Sequence, residues 1–328
     1  MRAIPPNEDY LCEPCAATLL RPLEHTFSEA WPAGSMLPLP GVDDQEGERV
    51  DPELPFVVDA HVHLFPDRMF DAIWHWFDEH GWPVRYKLYS SQIIAFLRAR
   101  GVGHMVALHY AHKPGMARAM NRYVASVVAE HRDVSGLATV FPGEPNAKEI
   151  LEEAFAMGLR GVKLHCHVQC FSPDDDALHE VYRTCADHKM PLVMHAGREP
   201  RSSAYKCDPY EVCGAERTRR VLESFPKLRL SVPHLGADEY DGYLELIETF
   251  DNLWLDTTMM LADYFPIRPP HALLHARRDK VMYGTDFPNL PYAWDRELRR
   301  LSSYGYRESD LPALLGTNAV NFFSIPNG

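Results

Sequence analysis

The chain has 328 residues, 46% of them hydrophobic, and no apolar run near the ~18 residues that a membrane span needs. Its formal net charge of −13 argues against nucleic acid as a partner, because phosphate binding draws on basic surface. Seven cysteines, an odd number scattered through a large chain, argue against a disulfide framework.

The opening Met1-Arg2-Ala3-Ile4-Pro5-Pro6 has no apolar signal core, so a cytoplasmic protein is expected. Residues 1–55 are rich in proline, glycine and acid, with one helical stretch at 16–30. They read as an irregular N-terminal arm or linker. The acids Asp43, Asp44, Glu46, Glu48, Asp51 and Glu53 read as a solvated part of it. Cys12 and Cys15 form a C-x-x-C pair, but no second pair lies near and His25 is a poor substitute. A four-ligand structural zinc is therefore not expected there.

From Phe56 onward the pattern is regular. Apolar runs at 56–61, 104–109, 134–140, 161–165, 191–195, 228–234, 253–256 and 280–284 predict strands. Helical patterns at 115–130, 147–157, 176–188, 212–224, 240–250 and 291–303 separate them. The runs are nearly continuous in apolar residues, as strands covered on both faces are. Eight strand–helix units predict an α/β fold, a (β/α)8 TIM barrel over residues 56–328, with a doubly wound open sheet as runner-up. Trp74, Trp76, Phe77 and Trp82 follow the first strand. Such an aromatic stripe reads first as packing, though its place also suits a pocket wall.

Polar residues gather where the strands end. In a strand, alternate side chains share a face, so Asp59, His61 and His63 are expected to point together. The second run ends in His109-Tyr110, the fourth in Lys163-Leu164-His165 and the fifth in His195. The sixth ends in His234 and the eighth in Thr285-Asp286. One such histidine is ordinarily a hydrogen-bonded structural residue, and one Thr-Asp is ordinarily a turn or cap. At least five strands carrying titratable groups at the same end instead describe a metal site on a barrel rim.

Together, His61-Val62-His63, His195, His234 and Thr285-Asp286 resemble the amidohydrolase superfamily. The run Gly161-Val162-Lys163-Leu164-His165 and the triplet His234-Leu235-Gly236 resemble its amidohydrolase-related branch. That branch includes aminocarboxymuconate-semialdehyde decarboxylase and γ-resorcylate decarboxylase. Residues 314–323 resemble the closing helix of the branch, and the likeness spans 56–324.

The resemblance implies one divalent metal, usually zinc, held by His61, His63, His195 and Asp286, with a water in the open position. It gives Asp286 the role of base and His234 that of a second proton carrier or carbonyl polariser. Asp59 would orient a ligand imidazole. Lys163 has two readings. Carboxylated, it would bridge two metals, with His195 and His234 serving the second; unmodified, it would bind a substrate carboxylate or pair with an acid. The one-metal reading is preferred. His165 would line the pocket or sit just outside it. Arg198, in the loop 197–206, would grip a carboxylate with its planar fork or pair with Glu199 on the surface. The triplet His165-Cys166-His167 with Cys170 is not expected to share a metal, since alternation turns Cys166 away from His165.

The expected function is metal-dependent hydrolysis of a small anionic amide, ester or lactone. The alternatives are non-oxidative decarboxylation of an aromatic or muconate-like acid, and a metal-binding barrel without catalysis. The expected partner is a small-molecule substrate, not nucleic acid or membrane, and a homo-oligomer is compatible with the sequence.

Overall fold

A computed structural model describes residues 41, 44–265 and 267–326. The expected helix at 16–30 and the Cys12/Cys15 pair lie outside the described residues. Eight parallel strands form: β1 Val58–His63, β2 His104–Leu108, β3 Val134–Gly136, β4 Val162–His165, β5 Leu192–His195, β6 Leu230–Val232, β7 Leu253–Asp256 and β8 Val281–Met282. They pair in the order β1-β2-β3 and β4-β5-β6-β7-β8.

Two further parallel bridges join these halves, Ala138 with Val162 and Val62 with Phe287. At the first seam Lys163 N donates to Ala138 O at 2.7 Å; at the second His63 N donates to Phe287 O at 2.8 Å. Both seams are thus bridged, which an open sheet would leave as free edges. The fold is the (β/α)8 barrel. Several strands stop sooner than their apolar runs, at Gly136, Val232 and Met282.

The helices pack outside with one apolar face each. Ile150, Leu151 and Ala154 do so in Ala147–Ala156, and Val181, Tyr182 and Cys185 in His179–Asp187. The expected helix at 291–303 forms only from Leu298 to Tyr304, as a 3-10 helix. The stretch before it is occupied otherwise: Trp294 Nε1 donates to Gly47 O, and Asp295 accepts from Gly47 N, both at 3.0 Å. No helix among the described residues is long and apolar enough to cross a membrane.

The barrel interior has two layers. Val58, Ala60, Val106, Leu108, Val193 and Met282 pack together with Phe322 and Phe323 of the closing helix Asn318–Phe323. The other layer is polar and holds the histidines. The expected common face of Asp59, His61 and His63 is corrected here. Asp59 stands opposite Met105 and His63 opposite Leu108, with a register shift between Asp59 and Val62. Met105 and Leu108 are three apart in β2 and so face opposite sides. The bulge therefore turns His63 inward while Asp59 points out of the barrel.

The acidic stretch of the arm is not merely solvated. Glu46 lies between Arg85 and Arg100, at 3.2 and 3.1 Å, and accepts from Tyr86. Arg85 also donates to Asp44 O at 2.6 Å.

Candidate metal centre and active-site cavity

His61 and His63 are carried inward by the bulged end of β1, and Asp286 by the turn after β8. Asp286 Oδ1 lies 3.3 Å from His61 Nε2 and 3.0 Å from His63 Nε2. Two imidazoles thus aim one nitrogen each at the same carboxylate. The facing imidazoles outweigh burial and hold Asp286 down at about 2. Burial, together with nearby Lys163, keeps His61 neutral, well below the usual histidine range. Neutral imidazoles and an ionised carboxylate are the donor types of a first-row divalent metal.

Supporting contacts orient this set. His61 Nδ1 meets Asp256 Oδ2 at 3.2 Å, which places its proton on Nδ1 and leaves Nε2 free to ligate. Asp256 Oδ1 also accepts from His234 N and Thr258 N, at 3.1 and 3.2 Å. Asp59 was expected to hold an imidazole. It clamps the β8 turn instead, accepting from Thr285 Oγ1 at 2.6 Å and Thr285 N at 3.1 Å. Asp286 and His234 both adopt left-handed backbone, at φ 77° and 57°. Non-glycine residues stay there only when their surroundings impose it, a common state at active sites. Gly284 has no side chain for a clear reason: a Cβ there would sit 2.8 Å from His61 Cβ.

His234 donates from Nδ1 to Thr258 O at 3.0 Å, so the nitrogen it turns toward the cavity is Nε2. Its ring lies 5.5 Å from that of His61 and 4.6 Å from that of His195. His195 stands on the same rim but turns its Nε2 to Glu199 Oε1, 3.1 Å away. Glu199 Oε2 lies 3.2 Å from His167 Nε2. The rings of His165 and His195 stack at 4.2 Å, and His165 and His167 meet edge-on at 4.4 Å. Burial would lower His167, but Glu199 pulls it up to about 9. Burial takes His195 down to about 3.

His165, His167, His195 and Glu199 thus form a second group of metal-type donors, beside that of His61, His63 and Asp286. The sequence reading missed His167 and Glu199. The spacing of His165-Cys166-His167 equals that of His61-Val62-His63 and carried the signal. Cys166 does pack outward in the core, as alternation requires. A one-turn helix, Cys166–Gln169, starts directly after His165.

Lys163 is fully buried, and its Nζ has no hydrogen-bond partner. Burial pushes it down to about 8, against the pull of Asp256 and Asp286. It is not among the cavity-lining residues, so its position supports charge balance rather than substrate contact. Arg198 lines the cavity and pairs with Glu239 at 2.8 Å, not with Glu199. Its Nε is buried and without a partner. His109 turns away to Asn121 at 3.1 Å, while Tyr110 lies against His63 and His165.

Above these groups lies a cavity of about 270 Å³. Trp76, Phe77, Trp82, Tyr110, Tyr205 and Phe265 wall it, and His63, His195, His234 and Asp286 form its polar end. The aromatic stripe therefore divides. Trp74 stacks on Phe70 in the core, at 5.2 Å, and the other three face the cavity.

A barrel with a histidine–carboxylate centre on its rim defines a class of enzyme, and the sequence supplies the lineage. The family profile described as Amidohydrolase matches residues 58–325, and the chain belongs to that family. It is an enzyme of the amidohydrolase superfamily. A search of the curated proteins finds no match.

Solved structures share the fold. A dihydroxybenzoic acid decarboxylase from Polaromonas sp. JS666, with bound manganese and the inhibitor 2-nitroresorcinol, aligns with a TM-score of 0.64 at 14% identity. The match covers 84% of this chain and 98% of that one. A 5-carboxyvanillate decarboxylase from Novosphingobium aromaticivorans, complexed with manganese and 4-hydroxy-3-methoxy-5-nitrobenzoic acid, gives 0.61 at 16%, covering 85% and 100%. A Pseudomonas putida chain provisionally assigned as a 2-pyrone-4,6-dicarboxylic acid hydrolase gives 0.56 at 16%, covering 83% and 99%. The family works with a divalent metal, and two of these neighbours hold manganese, so nothing singles out the zinc expected from the sequence. The convergence of His61, His63 and Asp286 fits such an ion.

Proposed function

We propose that the protein is a metal-dependent, non-oxidative decarboxylase of a planar aromatic acid. The observation that carries this reading is the cavity. Its six aromatic walls suit a flat ring, and its polar end suits the carboxylate and ring hydroxyls of a benzoate. Neighbours that act on dihydroxybenzoate and 5-carboxyvanillate support the same choice. Hydrolysis, the reaction first expected, calls on the same residue types but not on an aromatic slot.

His61, His63 and Asp286 would hold the divalent ion. When bound, it supplies Lewis-acid attraction for an anionic substrate oxygen. The remaining work belongs to side chains. Trp76 and Tyr110 hold the ring, and Arg198, on the cavity lining, meets an acidic substituent. His234 is fixed by Thr258 O, so Nε2 is the atom that moves a proton. Once Nε2 has taken up a proton from solvent, it delivers that proton to the ring carbon that bears the carboxylate. The carbon–carboxylate bond then breaks, its electron pair restores the aromatic ring, and carbon dioxide leaves. His234 is left neutral and is reprotonated from solvent for the next turnover.

The test is turnover of manganese- or zinc-loaded protein on hydroxybenzoates, and on small lactones and amides. Carbon dioxide release from the first set is expected. His234→Asn should lower it by about 10²-fold or more while the bound metal is unchanged. Hydrolysis of the second set without carbon dioxide release returns the assignment to a hydrolase. No turnover of either set leaves the metal-binding barrel.

A further inference from the structure

We propose that Cys170 and Cys207 are a redox pair, which a peroxide joins into a reversible disulfide that fastens the cavity loop to the barrel rim. The inference rests on neither the metal centre nor the substrate reading. Cys170 ends the one-turn helix Cys166–Gln169 that follows β4, and Cys207 follows the loop 197–206 that leaves β5. Only the fold brings the two together. Their Sγ atoms donate to the same carbonyl oxygen, that of His167, at 3.6 Å from Cys170 and 3.3 Å from Cys207. Two thiols held on one oxygen are neighbours, and the Cys170 thiol also meets that of Cys207 directly.

Exposure separates this pair from the other described cysteines. Cys170 is open to solvent and Cys207 half-buried, while Cys166, Cys185 and Cys213 are buried. Burial, and the Cys170 thiol beside it, push Cys207 up to about 12. Cys170 is therefore the thiol that meets an oxidant first. Its sulfur attacks one peroxide oxygen and the O–O bond breaks. A sulfenic acid stays on Cys170, and the departing oxygen takes the thiol proton and leaves as water. The Cys207 sulfur then attacks the Cys170 sulfur. An S–S bond forms, the S–O bond breaks, and the hydroxyl leaves with the Cys207 proton as a second water. Both sulfurs are oxidised and the peroxide is reduced. A small thiol reverses the step by exchange.

The consequence is mechanical. Arg198, Tyr205 and Lys206 line the cavity shortly before Cys207, and His167 and Val168 line it shortly before Cys170. In the reduced protein these two walls touch through rings, Tyr205 against His167 at 4.7 Å. The disulfide makes that contact permanent and holds the loop against the rim.

The test maps the bridge. Full-length protein is reduced, freed of reductant and treated with a small excess of hydrogen peroxide. Remaining thiols are capped with N-ethylmaleimide, and the chain is digested without reduction. A species joining tryptic peptides 164–183 and 207–217, two hydrogens lighter than their sum, is expected, and dithiothreitol removes it. It should vanish in Cys170→Ser and in Cys207→Ser and persist in Cys213→Ser. In the native protein, tryptic cleavage after the exposed Arg201 should slow several-fold on oxidation, and not in Cys207→Ser. Circular dichroism shows that each variant is folded. Wild type whose two peptides stay separate, whether every thiol survives or only Cys12 and Cys15 join, overturns the proposal. A link that persists in Cys170→Ser or Cys207→Ser, or vanishes in Cys213→Ser, belongs to the buried thiols and overturns it too. A link between Cys170 and Cys207 with unchanged cleavage after Arg201 overturns the fastening of the loop.

Discussion

Asp256 shows how a site is set by a residue that touches no substrate. Its two oxygens hold the His61 ring and the backbone of His234 and Thr258, so it aims a metal ligand and the proton carrier together. Asp256→Asn should weaken metal affinity by about 10- to 100-fold, read by competition with a chelating dye, with the ion count at saturation unchanged. Unchanged affinity would make it a structural hydrogen-bond hub only. Gly284→Ala acts from the other side of the same ring. The new methyl group would lie 2.8 Å from His61 Cβ and 2.6 Å from Thr258 Oγ1. It should cost about 1–3 kcal/mol in urea unfolding and lower metal affinity as well. Full metal affinity in that variant would show that β8 can retreat without moving His61.

At the scale of elements, the arm and the rim loops decide more than the helices do. We propose that residues 1–55 stand outside the catalytic barrel. The described residues 44–55 contribute nothing to the cavity lining, and they are strapped to the barrel through Glu46. Burial pushes the Glu46 carboxyl up, but Tyr86, Arg100 and Arg85 outweigh it and hold it below its ordinary 4.5. A carboxylate lowered on folding adds stability above its unfolded value and loses it as pH falls through the folded one. Limited proteolysis near residue 50 should therefore accelerate below about pH 4.5 in wild type, and at pH 7 already in Glu46→Ala. Equal cleavage rates for the two proteins at pH 7 would show that Glu46 does not hold the strap.

The whole molecule separates stability from chemistry along the barrel axis. One interior layer is apolar and closed by Phe322 and Phe323, and the other is a polar rim. Phe322 is fully buried and packs against Trp254 at 5.0 Å. Phe322→Ala should cost about 3–5 kcal/mol in denaturant unfolding through the cavity it leaves. Bound metal per folded chain should not change. Loss of metal without loss of stability would contradict this division.

The sequence by itself determined the barrel and one end of its chemistry. Nearly continuous apolar runs of strand length fix how many strands there are, and the polar residues that end at least five of them fix which end faces the substrate. His61, His63, His234 and Asp286 were legible for that reason. Face assignment within β1 was not, because a bulge is set by pairing with β2 and leaves no mark in the alternation that predicted it. The role of Asp256 was hidden for a related reason: its strand-end position was visible, but its partners are 195 and 22 residues away. Only tertiary structure turned Glu199 from the neighbour of Arg198 into the partner of His167 and His195. A loop's side chains are directed by what the loop packs against, and local sequence does not encode that.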